Sequence, residues 1–329
     1  MRVGLRADSS ETIGTGHVMR QMAVAQFLIR QGHSVFLLSS LAGPRWLNDY
    51  VLNLPGLQVI QVGEGNFGPE SVQTLGLDAL LIDSYQVSQP DLDLLEGSAG
   101  RIAVMLDGPW QSLSGAVAIA PTFEAESKWL RDASRNFTQL HSGPQYFPLR
   151  EEVLVLGETA SFMSSHETLP SVVISMGGCH SALEEFILRV TLELVNPLQV
   201  DIFFLPNHEL WRKILDSPHV VTVHPRGIGF LELVWRSHVT ISAAGSVAAE
   251  LFYLGVPTIF VPVAGNQSQN ASSITRLKLG TVLWPSSEHF ASELSFSLDR
   301  LINGGAPSKS FKTEVDSAGA ERIAEAILF

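Results

Sequence analysis

The stretch DSSETIGTGHVMR, residues 8–20, decides how the rest of the chain is read. An apolar strand, Arg2–Ala7, runs into it. Beyond it apolar residues recur at helical spacing, at Met22, Val24, Ala25, Phe27 and Leu28. Gly14-Thr15-Gly16 is therefore a turn between a strand and a helix, and His17 stands in the first helical turn. Glycine at 14 and 16 lets the backbone turn tightly and lets a ligand approach the main chain. Amides at a helix start have no intrahelical partner and favour an anionic group. Arg20 follows His17 by three residues, on the same helical face. A titratable base, an anion-binding helix end and a cation within one turn suit work on a phosphorylated substrate. A capping histidine in an ordinary strand-to-helix turn is the simpler alternative. A dinucleotide fingerprint is excluded. GxGxxG needs glycine at 19, where Met19 stands, and the second strand ends in Leu37-Leu38-Ser39-Ser40, with no acid for a ribose.

Outward from this turn the first half alternates strand and helix. Strands are predicted at Arg2–Ala7, Ser34–Leu38, Gln58–Val62, Ala79–Ile82, Ile102–Leu106 and Ala116–Ala120. Helices fall at about 17–31, 44–52, 69–75 and 90–96, with Pro44, Pro69 and Pro90 as first-turn prolines. Residues from about 122 to 168 lose the rhythm and read as a connecting region. A second alternating half begins with the buried strand Ser171–Met176 and closes with helices at about 289–302 and 318–328. Short apolar strands between helices predict parallel sheets covered on both faces. The expectation is an α/β chain of two Rossmann-like domains, 1–150 and 151–329, with parallel sheets facing a cleft. In such sheets ligands sit beyond the carboxyl ends of the strands.

With 329 residues the chain is long enough for two cores. Its 45% hydrophobic and 16% charged residues exclude a disordered chain. A net charge of -12 argues against a general nucleic-acid binder, because phosphate backbones call for basic surface. The lone cysteine, Cys179, excludes internal disulfides and multi-cysteine zinc sites, and the other histidines lack metal-ligand spacing. A reducing, cytoplasmic setting fits. No signal-peptide pattern or membrane-length apolar run is seen, and an oligomer is left open.

Asp83-Ser84-Tyr85 and Asp107-Gly108 stand at the ends of the fourth and fifth strands, on the side where Asp8 and His17 emerge. Two uses are open to them: orienting a sugar, or holding His17 in its useful tautomer. The plainer role, capping a helix or turn, is preferred for Asp107, and a site role for Tyr85. In the second half, Ala244-Gly245-Ser246 opens from a strand into a helix N-terminus, the usual place for a diphosphate. Glu250 lies one turn further on the same face, where a carboxylate can accept from both ribose hydroxyls. A solvated helical glutamate is the alternative. Gly177-Gly178 form a second glycine loop able to press on a nucleotide, and Asn266 and Gln267 follow another strand end. Cys179 and His180, as sequence neighbours, are poorly placed to act as a catalytic pair. Neither a GxSxG elbow nor a Walker A loop is present.

The opening RADSSETIGTGHVMR resembles that of the PseG family, the UDP-sugar hydrolases of pseudaminic acid biosynthesis, related to SpsG-type proteins. The resemblance continues through LLIDSYQV, SGPQYFPLREE, VVISMGG and ISAAGSVAAELFYLGVPTIFVPVAGNQ, in the expected order over most of the chain. It implies the two-domain GT-B architecture shared with MurG-like glycosyltransferases. It implies His17 as the base that activates water against the anomeric carbon of a UDP-linked acetamido-deoxy sugar, with inversion and release of UDP. It implies Arg6, Asp8, Tyr85 and Asn266 around the sugar, Ser246 and Glu250 around diphosphate and ribose, and no metal or other cofactor. Gly14, Gly16, Arg20 and Gln267 join the substrate side, and Gly177, Gly178, Ala244 and Gly245 the nucleotide side. Histidine, with an ordinary pKa of about 6.5, is a residue type suited to base work at neutral pH. The chain departs from the family pattern at Leu106, His180 and Gly265, which leaves the sugar open. A glycosyltransferase of the same fold, moving the sugar to a small acceptor, is the alternative.

Overall fold

The computed structural model describes residues 1–10, 12–66, 69–109, 113–124, 126–159, 169–177, 182–304 and 314–329. They form two compact units, 1–151 with 314–329, and 152–313.

The first unit runs β1 (Arg2–Ala7), α1 (Gly16–Arg30), β2 (Ser34–Ser39), α2 (Arg45–Leu52), β3 (Leu57–Gln61), α3 (Pro69–Leu75), β4 (Ala79–Asp83), α4 (Gln89–Leu95), β5 (Arg101–Met105), β6 (Gly115–Pro121), α5 (Lys128–Ala133) and β7 (Phe137–Gly143). Its seven strands are ordered β3-β2-β1-β4-β5-β6-β7 and every pairing is parallel. The central strands β1 and β4 are apolar on both faces because helices cover both. Arg6 and Ala7 of β1 pair with Ile82 and Asp83 of β4, so the exits of both strands lie side by side. β1 is central, so whatever follows Ala7 emerges at the point where the strand order reverses, the ligand-binding position of open parallel sheets.

The second unit begins within α6 (Glu151–Glu158). It continues through β8 (Ser171–Ser175), α7 (Ala182–Thr191), β9 (Gln199–Ile202), α8 (His208–Asp216), β10 (Val220–Val223), α9 (Phe230–Arg236), β11 (Val239–Ser242), α10 (Val247–Leu254), β12 (Thr258–Phe260), α11 (Ser268–Arg276), β13 (Thr281–Val282) and α12 (Phe290–Ile302). Its sheet order is β10-β9-β8-β11-β12-β13, again parallel throughout. Val172, Ile174, Ile187, Val200 and Leu294 anchor its core, each fully buried.

Two features depart from the sequence reading. The region from 122 onward is not simply a connector, since it contains α5 and the seventh strand, β7. β7 reads FTQLHSG, an edge strand with its middle partly exposed, so it lacks the apolar run that marks the other strands. The last helix, α13 (Gly319–Leu328), belongs to the first unit rather than to an unbroken second half. Its Ile323, Ala324 and Ile327 join Val3, Leu5 and Leu28 in one core. Arg322 fixes it by donating to the Gln145 carbonyl at 2.8 Å and pairing with Asp316 at 2.6 Å. At Gly319 any Cβ would collide with the Phe147 carbonyl. Among the described residues no helix is long and apolar enough to cross a membrane.

Candidate functional site

The turn after β1 is built as its glycines require. Gly14 has φ +82°, a left-handed conformation that glycine adopts at little cost, and its amide donates to the Ser10 carbonyl at 2.8 Å. Thr15 caps α1 without a side-chain hydrogen bond, and Gly16 is the first helical residue. His17 follows, its side chain 4% exposed.

The imidazole Nδ1 lies 2.5 Å from Asp83 Oδ1, at the end of β4. A carboxylate there accepts only from a protonated Nδ1, so Asp83 fixes the tautomer that carries its lone pair on Nε2. Nε2 makes no hydrogen bond to a described residue. The sealed, unpartnered polar atoms of the described residues include Nε2 of His141 and His219 but not that of His17. Tyr85 lays its ring edge-on to the imidazole, centroids 4.3 Å apart at 81°. Arg20, one turn along α1, donates to both oxygens of Asp83 through Nε and Nη2. It also reaches Asp107 Oδ1 at 2.5 Å and Oδ2 at 3.0 Å. Tyr85 donates its hydroxyl to Asp107 Oδ2 at 2.6 Å, and Gln21 donates to Asp83 Oδ2 at 3.2 Å.

Electrostatics in this cluster favour ionisation. Burial pushes the Asp83 carboxyl up, but the Arg20 charge, then His17 and the hydrogen bonds from both, hold it below the ordinary value. Asp107 is depressed in the same way, with burial opposing and the Arg20 charge and hydrogen bonds prevailing. Burial alone would lower the Arg20 guanidinium, yet the two carboxylates raise it well above its usual value.

These contacts bear on three of the readings. Asp107, read as a turn cap, is the second carboxylate on Arg20 and the acceptor for Tyr85. Arg20, expected on the substrate side, is held by two carboxylates of its own chain. Arg6 and Asp8, expected around a sugar, are each 2% exposed and brace loops. The five N–H groups of Arg6 reach the carbonyls of Asn66, Leu38 and Gly63 and both oxygens of Asp8. Asp8 in turn accepts from the Ser40 amide at 2.9 Å and the Gly65 amide at 3.1 Å. Burial raises the Asp8 carboxyl, but Arg6 and the two amides outweigh it and leave it below its ordinary value.

In the second unit, Gly177 closes β8 with φ +106°. Arg226 donates to the Gly177 carbonyl and pairs with buried Glu184 at 2.8 Å. Gly178, Cys179 and His180 lie outside the described residues. Ala244 is fully buried, and its carbonyl accepts from Asn270 at 3.2 Å. Ser246 caps α10 without a side-chain hydrogen bond of its own to the helix. Glu250 is 8% exposed, so it is no solvated helical residue. Asn266 and Gln267 form a 3-10 turn after β12. Gln267 accepts from the Val263 amide at 2.9 Å, and its Nε2 lies 3.6 Å from where a Cβ on Gly245 would stand. Gly265 begins that turn, and Leu106 is a buried core residue beside Asp107.

Sequence reasoning placed Asp83 near the site without including it, set Asp107 aside, and passed over Gln21 and Arg226. A signal for the carboxylates was present, since Asp83 ends β4, the neighbour of β1, and Asp107 follows β5, the next strand out. It also missed an open recess of about 490 Å³ at the ends of β9 and β10, lined by Phe203, Phe204, Val223, His224, Pro225 and Arg226. His224 there bonds buried Asp201 at 2.7 Å. Among the described residues no group of three or more His, Cys, Asp or Glu is placed to hold a metal ion.

Comparison with solved structures identifies the fold. MurG from Acinetobacter baumannii matches over 99% of both chains with a TM-score of 0.66 at 17% identity. The calicheamicin glycosyltransferase CalG4 matches over 99% of this chain and 97% of its own, TM-score 0.64, at 14% identity. A putative UDP-N-acetylglucosamine 2-epimerase from Listeria monocytogenes matches over 99% of this chain and 95% of its own, TM-score 0.66, at 11% identity. The fold is GT-B: two Rossmann-like domains, each with a parallel sheet. No protein-family model matches the sequence, and no curated protein matches it.

Proposed function

We propose that the chain is a nucleotide-sugar hydrolase in which His17 activates water against the anomeric carbon of a UDP-linked sugar. One observation carries the reading: His17 is held by Asp83 through Nδ1, which leaves Nε2 as the proton acceptor. A base oriented by a buried carboxylate can take a proton from water as the oxygen attacks. The proton from water goes to Nε2, the C–O bond to the β-phosphate breaks, and UDP leaves with the bonding pair. Attack opposite the leaving group inverts the anomeric centre.

The second unit supplies the leaving-group contacts. The first-turn amides of α10, with Gly245 and Ser246, take the diphosphate charge, and Glu250 takes the ribose hydroxyls. The recess beside Arg226 accepts the base. The resemblance to the PseG family assigns Tyr85 and Asn266 to the sugar, and Gln267 is read with them on the substrate side. The resemblance to the PseG family supports an acetamido-deoxy sugar. The GT-B fold is equally that of MurG and CalG4 and supports transfer to an acceptor as the second reading.

The test is incubation with a panel of UDP-linked acetamido sugars without acceptor, following UDP. Steady UDP release that is lost in His17→Ala, with UDP affinity retained, is the expected result. Release only when an acceptor is added would replace hydrolysis with transfer. UDP binding without release under either condition would remove the enzymatic reading.

A further inference from the structure

Two carboxylates share one arginine beside His17, and only one of them touches the imidazole. The charged and titratable described groups that face the ring are Asp83 from β4, Arg20 from α1, Tyr85 from the loop after β4 and Asp107 from the loop after β5. Arg20 Nη2 stands 3.2 Å from Nδ1, and Asp107 Oδ2 stands 3.0 Å from that same Nη2. The second carboxylate therefore lies within about 6 Å of the ring, well inside the reach of a charge in a poorly solvated site. Asp83 is fully buried, while Arg20 is 11% and Asp107 15% exposed, so solvent screens the group little.

With His17 neutral, the cluster carries two negative charges and one positive charge. Were Asp83 and Arg20 alone, they would cancel, and a proton added to His17 would create an uncompensated buried cation. With Asp107 present, the same proton brings the cluster to neutrality. We propose that Asp107 is a positioning residue for the base: it neutralises Arg20 so that the Asp83 charge remains available to the imidazolium formed when His17 takes a proton. Tyr85, which donates to Asp107 and packs edge-on against His17, fixes the carboxylate without adding charge. This inference rests on His17 being the base for its catalytic meaning, but the charge coupling itself does not.

The experiment is a histidine side-chain NMR titration of the whole chain, with the His17 signal assigned by its loss in His17→Gln. In Asp107→Asn the His17 midpoint falls by about one pH unit, the effect of one charge removed at this range. Asp107→Glu restores it to within about 0.3 unit, and Tyr85→Phe moves it no further than that, because both keep the charge. Arg20→Gln moves the midpoint upward, which tests the same coupling with the opposite sign if Asp107→Asn unfolds. A midpoint unchanged in Asp107→Asn, a downward shift in Arg20→Gln, or an equal shift in Tyr85→Phe would each overturn the proposal. UDP release from the UDP-sugar panel against pH separates the two readings. If His17 is the base, the acid limb of activity follows the NMR midpoint in every variant. A midpoint that moves while the acid limb does not would leave the coupling standing and remove His17 as the base.

Discussion

Replacing Asp83 with asparagine tests the centre of the first unit most directly. The side chain keeps its shape, but the charge that accepts from His17, Arg20 and Gln21 is gone. Arg20 retains Asp107, so the guanidinium is not abandoned entirely. Breaking a buried pair by removing one partner costs about 3–5 kcal/mol, and the surviving Asp107 contact puts this case near the lower end. A loss of about 3 kcal/mol is a hundredfold or more in the opening equilibrium of the unit. Hydrogen exchange read by peptide separates the units: β1, β4 and α1 exchange about a hundredfold faster in Asp83→Asn, while β8 and β11 are unchanged.

The pH dependence of that loss has a definite sign. Folding lowers the Asp83 pKa, so the ionised carboxylate contributes fully above its unfolded value of about 3.9. The contribution is lost only as the pH falls through the lower, folded value. Titration of the carboxyl itself therefore leaves the gap between wild type and Asp83→Asn open from neutrality to about pH 5 and closes it only in stronger acid. A penalty under about 1 kcal/mol at neutral pH, or one already gone near pH 6, would refute the reasoning, since either result would mean the carboxylate is not held ionised by Arg20.

Three further outcomes are expected. Arg6→Lys offers one nitrogen where five N–H groups are in use, and the stranded carbonyls and Asp8 cost the first unit about 2–4 kcal/mol in urea unfolding. Gly319→Ala forces a methyl group against the Phe147 carbonyl, lowers stability by about 2 kcal/mol and deprotects α13 amides first. On the proposed reading of Glu250 as the ribose contact, Glu250→Gln weakens UDP binding about tenfold by calorimetry, because a neutral amide accepts ribose hydroxyls less strongly than a carboxylate.

The elements legible in the sequence are those whose apolar pattern is set by burial on both faces. β1 and β4 fall where the runs Arg2–Ala7 and Ala79–Ile82 place them, to within a residue. β7 was hidden because an edge strand with polar middle residues has no such pattern. Gly14 and His17 were legible because a turn between strand and helix constrains residue type locally. The internal partners of Arg6 and Arg20 were not, because a guanidinium reads the same whether its partner is substrate or chain. Only the pairing of Ala7 with Asp83 across β1 and β4 brings the carboxylate that captures Arg20 into reach. Arg226, which holds Gly177 through contacts more than forty positions away, carries no local signal at all.

The fate of Arg20 bears on how the work is divided between the units. A helix start with a histidine and an arginine reads as a phosphate site, but a phosphate would have to compete with Asp83 and Asp107 for the guanidinium. Both carboxylates are held ionised below their ordinary pKa, so at neutral pH neither yields. Any dianionic diphosphate brought to this cluster would also meet a net negative charge. The cluster around His17 is therefore poorly suited to hold a phosphate, and on the proposed reading it handles a proton. On the proposed reading the diphosphate falls instead to the glycine-flanked start of α10, where Ser246 makes no side-chain cap and the Ala248 and Ala249 amides donate to the Gly245 and Ser246 carbonyls.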